Sequence, residues 1–198
     1  MRIISGRNRG QHIQTLKGTQ LRPTSDQMRE TLFDVLGPRV QGSVFLDAYA
    51  GSGAVGLEAL SRGAKEVVFV EHHRAATDLI RRNLAALKME DGFYLMNARV
   101  LAALERLDEE GAIFDFIFLD PPYSETREYH QVLRQLGRSR LLTDASFVIA
   151  EHSRHYFLEE KYNRLERTRS IRHGDTELTF YRLSRAVVEG GDQPNPDV

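Results

Sequence analysis

Residues 44–56, VFLDAYAGSGAVG, constrain the fold of this chain more than any other stretch. A short apolar run ends in a glycine-rich turn, and a helical pattern starts at Ala54. Glycine lacks a Cβ and tolerates positive φ, so a ligand can lie directly against the backbone of such a turn. The turn also aims the free N–H groups of the following helix into the same space. Strand and helix patterns then alternate. Strands are expected at 44–49, 66–71, 93–96, 114–119 and 146–150, with helices at about 54–62, 75–88, 100–109 and 129–137 between them. Phe114–Leu119 is almost wholly apolar, as a strand buried on both faces requires. The alternation predicts an α/β fold: a mostly parallel sheet with helices on both sides.

The 198 residues suit one domain with a small appendage. Apolar residues make up 41% and charged residues 28%, the balance of an ordinary water-soluble globule. With no cysteine, disulfides and thiolate metal sites are excluded, which fits a reducing, cytoplasmic setting. No apolar run approaches the roughly 18 residues of a membrane span, and the N-terminus lacks a signal-peptide hydrophobic region.

Residues 1–23 carry Arg2, Arg7, Arg9, Lys17 and Arg22, with no acid before Asp26. Short alternating pieces around Gly6, Gly10 and Gly18 predict a small β-hairpin. Two readings of its cations stay open. They decorate a solvated hairpin, or they form a basic arm that binds phosphate backbone through counterion release. Pro23-Thr24-Ser25-Asp26 then starts a helix, with Thr24 and Gln27 in capping-box spacing. Met28, Leu32, Val35 and Leu36 form its apolar face, and Gly37-Pro38 stops it. Near the other end, 165–172 and 176–183 read as strands about the turn His173-Gly174-Asp175, so the sheet closes on an antiparallel hairpin. The cations Lys161, Arg164, Arg167, Arg169 and Arg172 are mixed with acids, as on a solvated edge, or they extend a nucleic-acid face. The Gly- and Pro-rich tail, 186–198, is expected to be disordered.

Gly51 to Gly56 fits G-x-G-x-x-G, a pattern that serves a dinucleotide pyrophosphate equally well. Glu71, ending the second strand, stands where an acid accepts hydrogen bonds from ribose hydroxyls. Asp47 discriminates further. A carboxylate inside the first strand repels a pyrophosphate but can face a cationic amino group, which favours a positively charged ligand. Asp120-Pro121-Pro122-Tyr123 follows the fourth strand directly. Ligands of open parallel sheets sit beyond the carboxyl ends of the strands, at the switch in strand order, and the first and fourth strands are expected to be neighbours there. Two prolines stiffen the loop and remove two donors, leaving the Asp120 carboxylate and the Pro121 carbonyl as acceptors for a substrate amine. Tyr123 offers a flat face for stacking a base.

These motifs resemble those of class I S-adenosylmethionine-dependent methyltransferases whose DPPY-type motif marks amino-methylation of nucleic-acid bases. More closely, the chain is similar to the bacterial RsmD family, which methylates the exocyclic N2 of a guanine in 16S rRNA. The likeness spans nearly the whole chain, including Arg22-Pro-Thr-Ser-Asp26, Arg29-Glu-Thr-Leu-Phe33, Leu46-Asp-Ala-Tyr-Ala-Gly-Ser-Gly53 and Asp120-Pro-Pro-Tyr123. It implies a Rossmann-like, mostly parallel seven-stranded sheet, with a methyltransferase domain over 24–185 after the arm at 1–23. It implies S-adenosylmethionine as cofactor. The segment from Asp47, Ala48 and Tyr49 to Gly51, Ser52 and Gly53 would hold its methionine part, and Glu71 its ribose. Asn97-Ala98 stands where such enzymes often carry an acid for the adenine amino group; an Asn oxygen still accepts that bond, without charge. Asp120, Pro121, Pro122 and Tyr123 would be catalytic, and Arg2, Arg7, Arg9, Lys17 and Arg22 would contact RNA. The implied partner is 16S rRNA in an assembled or assembling small ribosomal subunit, met by a monomer without metal or membrane.

A DNA adenine-N6 or cytosine-N4 methyltransferase shares this motif chemistry, but the chain has little room for a separate target-recognition region. A nicotinamide-dependent oxidoreductase is disfavoured by Asp47 and by the acceptor-only loop. A non-catalytic RNA-binding module is the third alternative. His72 and His73 are adjacent and lack the i, i+4 spacing of paired metal ligands, so they are expected at the surface or the pocket rim.

Overall fold

The computed structural model describes residues 1–15, 26–122 and 127–184. Its helices are α1 (Asp26–Leu36), α2 (Ala54–Ser61), α3 (Arg74–Ala86), α4 (Val100–Glu109) and α5 (Arg127–Leu136). Its strands are β1 (Val44–Asp47), β2 (Glu66–Val70), β3 (Phe93–Met96), β4 (Phe114–Leu119), β5 (Leu142–Ser153), β6 (Lys161–Tyr162), β7 (Leu165–His173) and β8 (Thr176–Leu183). They form one sheet in the order β3-β2-β1-β4-β5-β8-β7-β6. The first five in that order run parallel, and β8, β7 and β6 are antiparallel to their neighbours.

Side chains alternate across a strand, so each strand feeds two cores. Phe45, Val67, Phe69, Phe116, Phe118 and Ile149 pack on one face with apolar residues of α1, α2 and α3. Leu46, Val68, Val70, Ile117, Leu119 and Val148 pack on the other with residues of α4 and α5. That double burial explains the unbroken apolar run of β4. Order reverses between β1, which leads outward to β2 and β3, and β4, which leads to β5. The carboxyl ends of β1 and β4 therefore flank the crevice.

Three differences from the expected pattern have one cause. β5 begins at Leu142, where it pairs with Phe114 of β4, and ends at Ser153, where β8 pairs with it through Glu151, His152 and Ser153, so it runs well beyond 146–150. A further strand, β6, adds two residues beside β7 and makes the sheet eight-stranded rather than seven-stranded. β1 stops at Asp47 rather than Tyr49 as the chain turns. Pairing with distant strands sets each boundary, and local composition does not record it.

The N-terminal return is a hairpin of one bridge pair, Arg2 with His12, supported by Ile3 N–H to Gln11 O at 2.9 Å and Ile13 N–H to Met1 O at 3.1 Å. It is built into the domain. Ile3 and Ile13 join the first core cluster. Glu58, fully buried on α2, accepts from Ile4 N–H at 2.8 Å, Ser5 N–H at 3.0 Å and Arg62 Nε at 2.7 Å. Ser61 Oγ accepts from Asn8 N–H at 3.0 Å and donates to Ser5 O at 2.6 Å. Gly6 packs so tightly here that a Cβ would stand 1.9 Å from Ser61 O. The expected cap at Thr24 lies outside the described residues.

Replacing Glu58 by Ala strands two backbone N–H groups and a guanidinium. The expected cost is about 2–4 kcal/mol, or roughly 5–10 °C in Tm, with new proteolytic cleavage inside the first fourteen residues. Glu58→Gln, which keeps an acceptor oxygen, should lose less; equal melting curves for Glu58→Ala and wild type would contradict this docking.

Candidate active site

β1 and β4 pair in register, with Asp47 opposite Phe118, and Ala48 N–H continues the ladder to Phe118 O at 3.0 Å. Two residues further on, Tyr49 and Asp120 leave the sheet side by side. The glycine turn and the Asp120-Pro121-Pro122 loop thus face one crevice, as expected. Asp120 and Pro122 are partly exposed and Pro121 is buried. Tyr123 lies outside the described residues.

Gly51 and Gly53 have φ of +53° and +80°, which side chains other than glycine rarely adopt. Gly56 serves packing instead: a Cβ would stand 2.2 Å from the Phe69 ring on β2. Two buried carboxylates grip the turn. Asp47 Oδ2 accepts from Gly56 N–H at 2.9 Å, and Glu71 Oε2 accepts from Gly51 N–H at 2.9 Å. The other Glu71 oxygen accepts from His73 N–H at 2.7 Å. Asp47 is 2% exposed, and burial pushes its carboxyl up to about 7; the Gly56 N–H opposes that shift and the nearby Glu71 carboxylate adds to it. The acid expected to face a ligand's amino group therefore has a structural task as well, and only its second oxygen is left for a ligand.

Asn97 is held in one orientation. Its Nδ2 is within hydrogen-bond distance of Glu71 O at 2.9 Å, Thr77 Oγ1 at 3.0 Å and His72 O at 3.1 Å. Three acceptors around one atom identify it as the amide nitrogen. Its Oδ1 remains an acceptor with no partner among the described residues. That geometry suits an adenine amino group without an acid. Ala98, beside it, is partly exposed.

Three contributors escaped the sequence reading: Asn83, Glu128 and Glu58. Asn83, 1% exposed on α3, pairs with the arm in both directions: Gln14 N–H donates to its Oδ1 at 2.8 Å, and its Nδ2 donates to Gln14 O at 3.0 Å. The same Nδ2 is 3.0 Å from Ser52 O in the glycine turn. Asn83 so fastens the arm to the turn. Tyr49 OH donates to Glu128 Oε2 at 2.7 Å, tying the turn to the first turn of α5 across the Asp120 loop. Glu58 anchors the arm further down. A polar residue on the apolar face of α3, and one acid in the otherwise apolar start of α2, were the available signals.

The cations expected to contact RNA are divided. The side chains of Arg2, Arg7 and Arg9 are exposed, but Arg7 N–H bonds Ser61 O at 2.8 Å, at the end of α2 opposite the glycine turn. Eight helical residues, about 12 Å, separate that point from the turn. Arg2 and Arg9 line a cleft with Asp26 and Glu30. Lys17 and Arg22 lie outside the described residues. Glu71, His72 and His73 bring ligand atoms within 4.8 Å of one another, and each Glu71 oxygen accepts one backbone N–H, which leaves it a second lone pair. Among the described residues no helix is long and apolar enough to cross a membrane.

Sheet order, glycine turn and acceptor loop together define a Rossmann-like fold of the class I methyltransferase type. The family model described as "Conserved hypothetical protein 95" matches residues 1–182, and the chain belongs to this family, the RsmD family. It is 34% identical to YlbH of Bacillus subtilis (strain 168) over 182 residues, 92% of this chain and 98% of that one. It is 42% identical to "Ribosomal RNA small subunit methyltransferase D" of Escherichia coli (strain K12) over 125 residues, 62% of this chain and 60% of that one. A solved Thermus structure, TTHA0928, superposes with a TM-score of 0.77 at 27% identity, covering 91% of this chain and 98% of that one.

Two predictions follow from the buried groups. Asp47 is protonated more readily folded than unfolded, so its contribution to stability is present below the unfolded value near 4 and is lost as pH rises through about 7. Asp47→Asn keeps an acceptor for Gly56 and removes the buried charge. Without ligand it should melt on the order of 5 °C above wild type at pH 8, with the gap closing at pH 5; a gap of the same size at both pH values would remove the assignment. Asn83→Asp keeps the acceptor for Gln14 N–H and loses both donor bonds. Calorimetry should show S-adenosylmethionine binding weakened about tenfold, against little change for the exposed Arg81→Ala.

Proposed function

We propose that this protein transfers the methyl group of S-adenosylmethionine to the exocyclic N2 of a guanine in 16S rRNA of the small ribosomal subunit. The observation that carries the proposal is the placement of the Asp120-Pro121 acceptor pair beside the glycine turn at the strand-order switch. Membership of the RsmD family supports it, as does the name of the Escherichia coli relative.

The glycine-turn backbone holds the methionine part, Glu71 accepts from the ribose, and Asn97 Oδ1 accepts from the adenine amine. When bound, the sulfonium supplies an activated methyl, so no covalent intermediate on the protein is needed. The difficult partner is the guanine amine, whose lone pair is delocalised into the ring. The Asp120 carboxylate and the Pro121 carbonyl accept its two N–H bonds, hold the nitrogen and direct its lone pair at the methyl. Both acceptors also stabilise the positive charge that develops there. Fixing the two reactants in line contributes about 7–11 kcal/mol. The nitrogen then releases a proton to Asp120 or to water. Tyr123 stacks on the extruded base. The protein acts in the cytoplasm as a monomer on assembled or assembling subunits, its arm cations and Lys17 and Arg22 adding phosphate contacts.

The test is incubation of unmodified small subunits with radiolabelled methyl donor, followed by digestion to nucleosides. Label should appear in N2-methylguanosine; label in N6-methyladenosine would assign a different amine. Asp120→Ala should lower kcat by about 10²–10³ while S-adenosylmethionine binding stays within twofold; wild-type turnover by this variant would remove the acceptor mechanism.

A further inference from the structure

Arg7 docks a helix length from the crevice, and Arg2 and Arg9 line a cleft with acids, so RNA beside the target base needs other contacts. The carboxyl edge of the sheet continues past β4 to β5, then β8, then β7. Where β5 and β7 end and β8 begins, a cavity of about 290 Å³ opens, lined among others by Arg154, His155, Phe157 and Arg172. Leu119 pairs with Ala150 in the parallel ladder, so His152 on the cavity floor is level with Pro121 one strand away. At about 4.8 Å per strand, the cavity lies roughly 5–15 Å from the Asp120 loop. Nucleotides next to the target base reach that far.

The wall chemistry matches a nucleotide. Phe157 is 71% exposed, the most exposed large hydrophobic side chain among the described residues. A single exposed ring is common on protein surfaces; what singles this one out is its place at a cavity between guanidiniums. Arg172 is 73% exposed and Arg154 47%. Each has a carboxylate neighbour, Glu177 at 2.9 Å and Asp175 at 3.2 Å. The Arg154–Asp175 pair is exposed on both sides and worth at most about 1 kcal/mol, so a phosphate can compete for that guanidinium; Arg172 keeps most of its own surface in solvent while its partner Glu177 is buried. An aromatic flanked by guanidiniums is how proteins hold single-stranded nucleic acid.

At the floor His152 is fixed and uncharged, while Arg167, whose guanidinium bonds Leu158 O, and the buried Glu177 also line the cavity. His152 Nδ1–H donates to Ser153 O at 2.9 Å, so its Nε2 accepts from Thr179 Oγ1 at 2.8 Å, and Thr179 Oγ1 in turn lies 3.0 Å from Ser170 Oγ. Burial holds the His152 ring below its ordinary value, which keeps it neutral near pH 7. The phosphate contacts therefore fall to Arg154 and Arg172, with His155 beside them.

We propose that this cavity is a subsite for the RNA strand flanking the target guanine, with a phosphate held by Arg154 and Arg172 and a neighbouring base stacked on Phe157. The proposal rests on the rRNA methyltransferase reading above. Of the basic stretch from Lys161 to Arg172, it assigns Arg172 to substrate binding.

The test uses the full-length protein with protein-free 16S rRNA and with unmodified small subunits, measuring RNA affinity against salt, S-adenosylmethionine affinity and methyl transfer. Phe157→Ala should weaken RNA binding about tenfold. Arg154→Ala with Arg172→Ala should weaken it further and flatten the slope of log affinity against log salt by about one to two. S-adenosylmethionine affinity should stay at the wild-type value in every variant, and so should the melting curves of Phe157→Ala and Arg154→Ala, whose side chains are exposed. Arg172→Ala leaves the buried Glu177 carboxylate without its ion pair, so RNA binding by the double variant is measured below its own melting transition. Arg140→Ala, an exposed cation just before β5, should bind RNA normally; an equal loss there would mean a net-charge effect and overturn the subsite. Unchanged RNA affinity in the cavity variants, with wild type methylating normally, overturns the subsite and leaves the enzyme reading standing. Loss confined to assembled subunits, with protein-free RNA bound normally, identifies a protein-docking face and overturns it too. Wild type that transfers no methyl to either substrate overturns the enzyme reading and the subsite together.

Discussion

Two carboxylates inside the domain, those of Asp47 and Glu71, hold the glycine turn in the shape the rest of the structure depends on. They accept N–H groups from Gly56 and Gly51, at opposite ends of the turn. Burying carboxylates is unfavourable, and the rise of Asp47 toward neutrality shows that its one described hydrogen bond does not offset the loss of water. The arrangement keeps the turn open where an apolar strand end would let it collapse. On the proposed reading, it also puts two carboxylates beneath the place where a sulfonium and an ammonium would be received. Stability and ligand binding therefore pull Asp47 in different directions.

Around that turn, polar side chains act as substitutes for backbone. Asn83 offers Gln14 one donor and one acceptor, as a neighbouring strand would, and reaches Ser52 with the same amide. Glu58 and Ser61 satisfy the arm lower down. The arm is thus an integral strip of the domain along α2 and α3, and its position is coupled to the cofactor turn through one residue. Tyr49 and Glu128 make a similar tie on the other side of the crevice. The tie from the arm and the tie from α5 are thus braced against the same short loop.

Much of this was legible in the chain. The period-two and helical patterns from Val44 onward gave strands and helices close to those observed, because each is amphipathic or buried as its layer requires. Asp120-Pro121-Pro122 could be placed opposite the glycine turn before any coordinates, since a parallel sheet leaves few ways to order its first and fourth strands. Asn83 and Glu58 were harder to find: each looks like an ordinary polar residue in a helix, and their partners lie 69 and 53–54 residues away. The spread of arginines along the arm likewise concealed that Arg7 docks at the wrong end of α2 to approach the crevice.

The sequence by itself determined the layer architecture, the ligand-facing turn and the acceptor loop, because residue type acts locally through periodicity, glycine φ and proline geometry. Only the tertiary structure decided the eighth strand, the length of β5, the docking of the arm, and the assembly of Arg154, Phe157 and Arg172 around one cavity. Those features arise where segments far apart in the chain meet. Long-range pairing and packing set their energies, and no local pattern of residues encodes which distant partner will arrive.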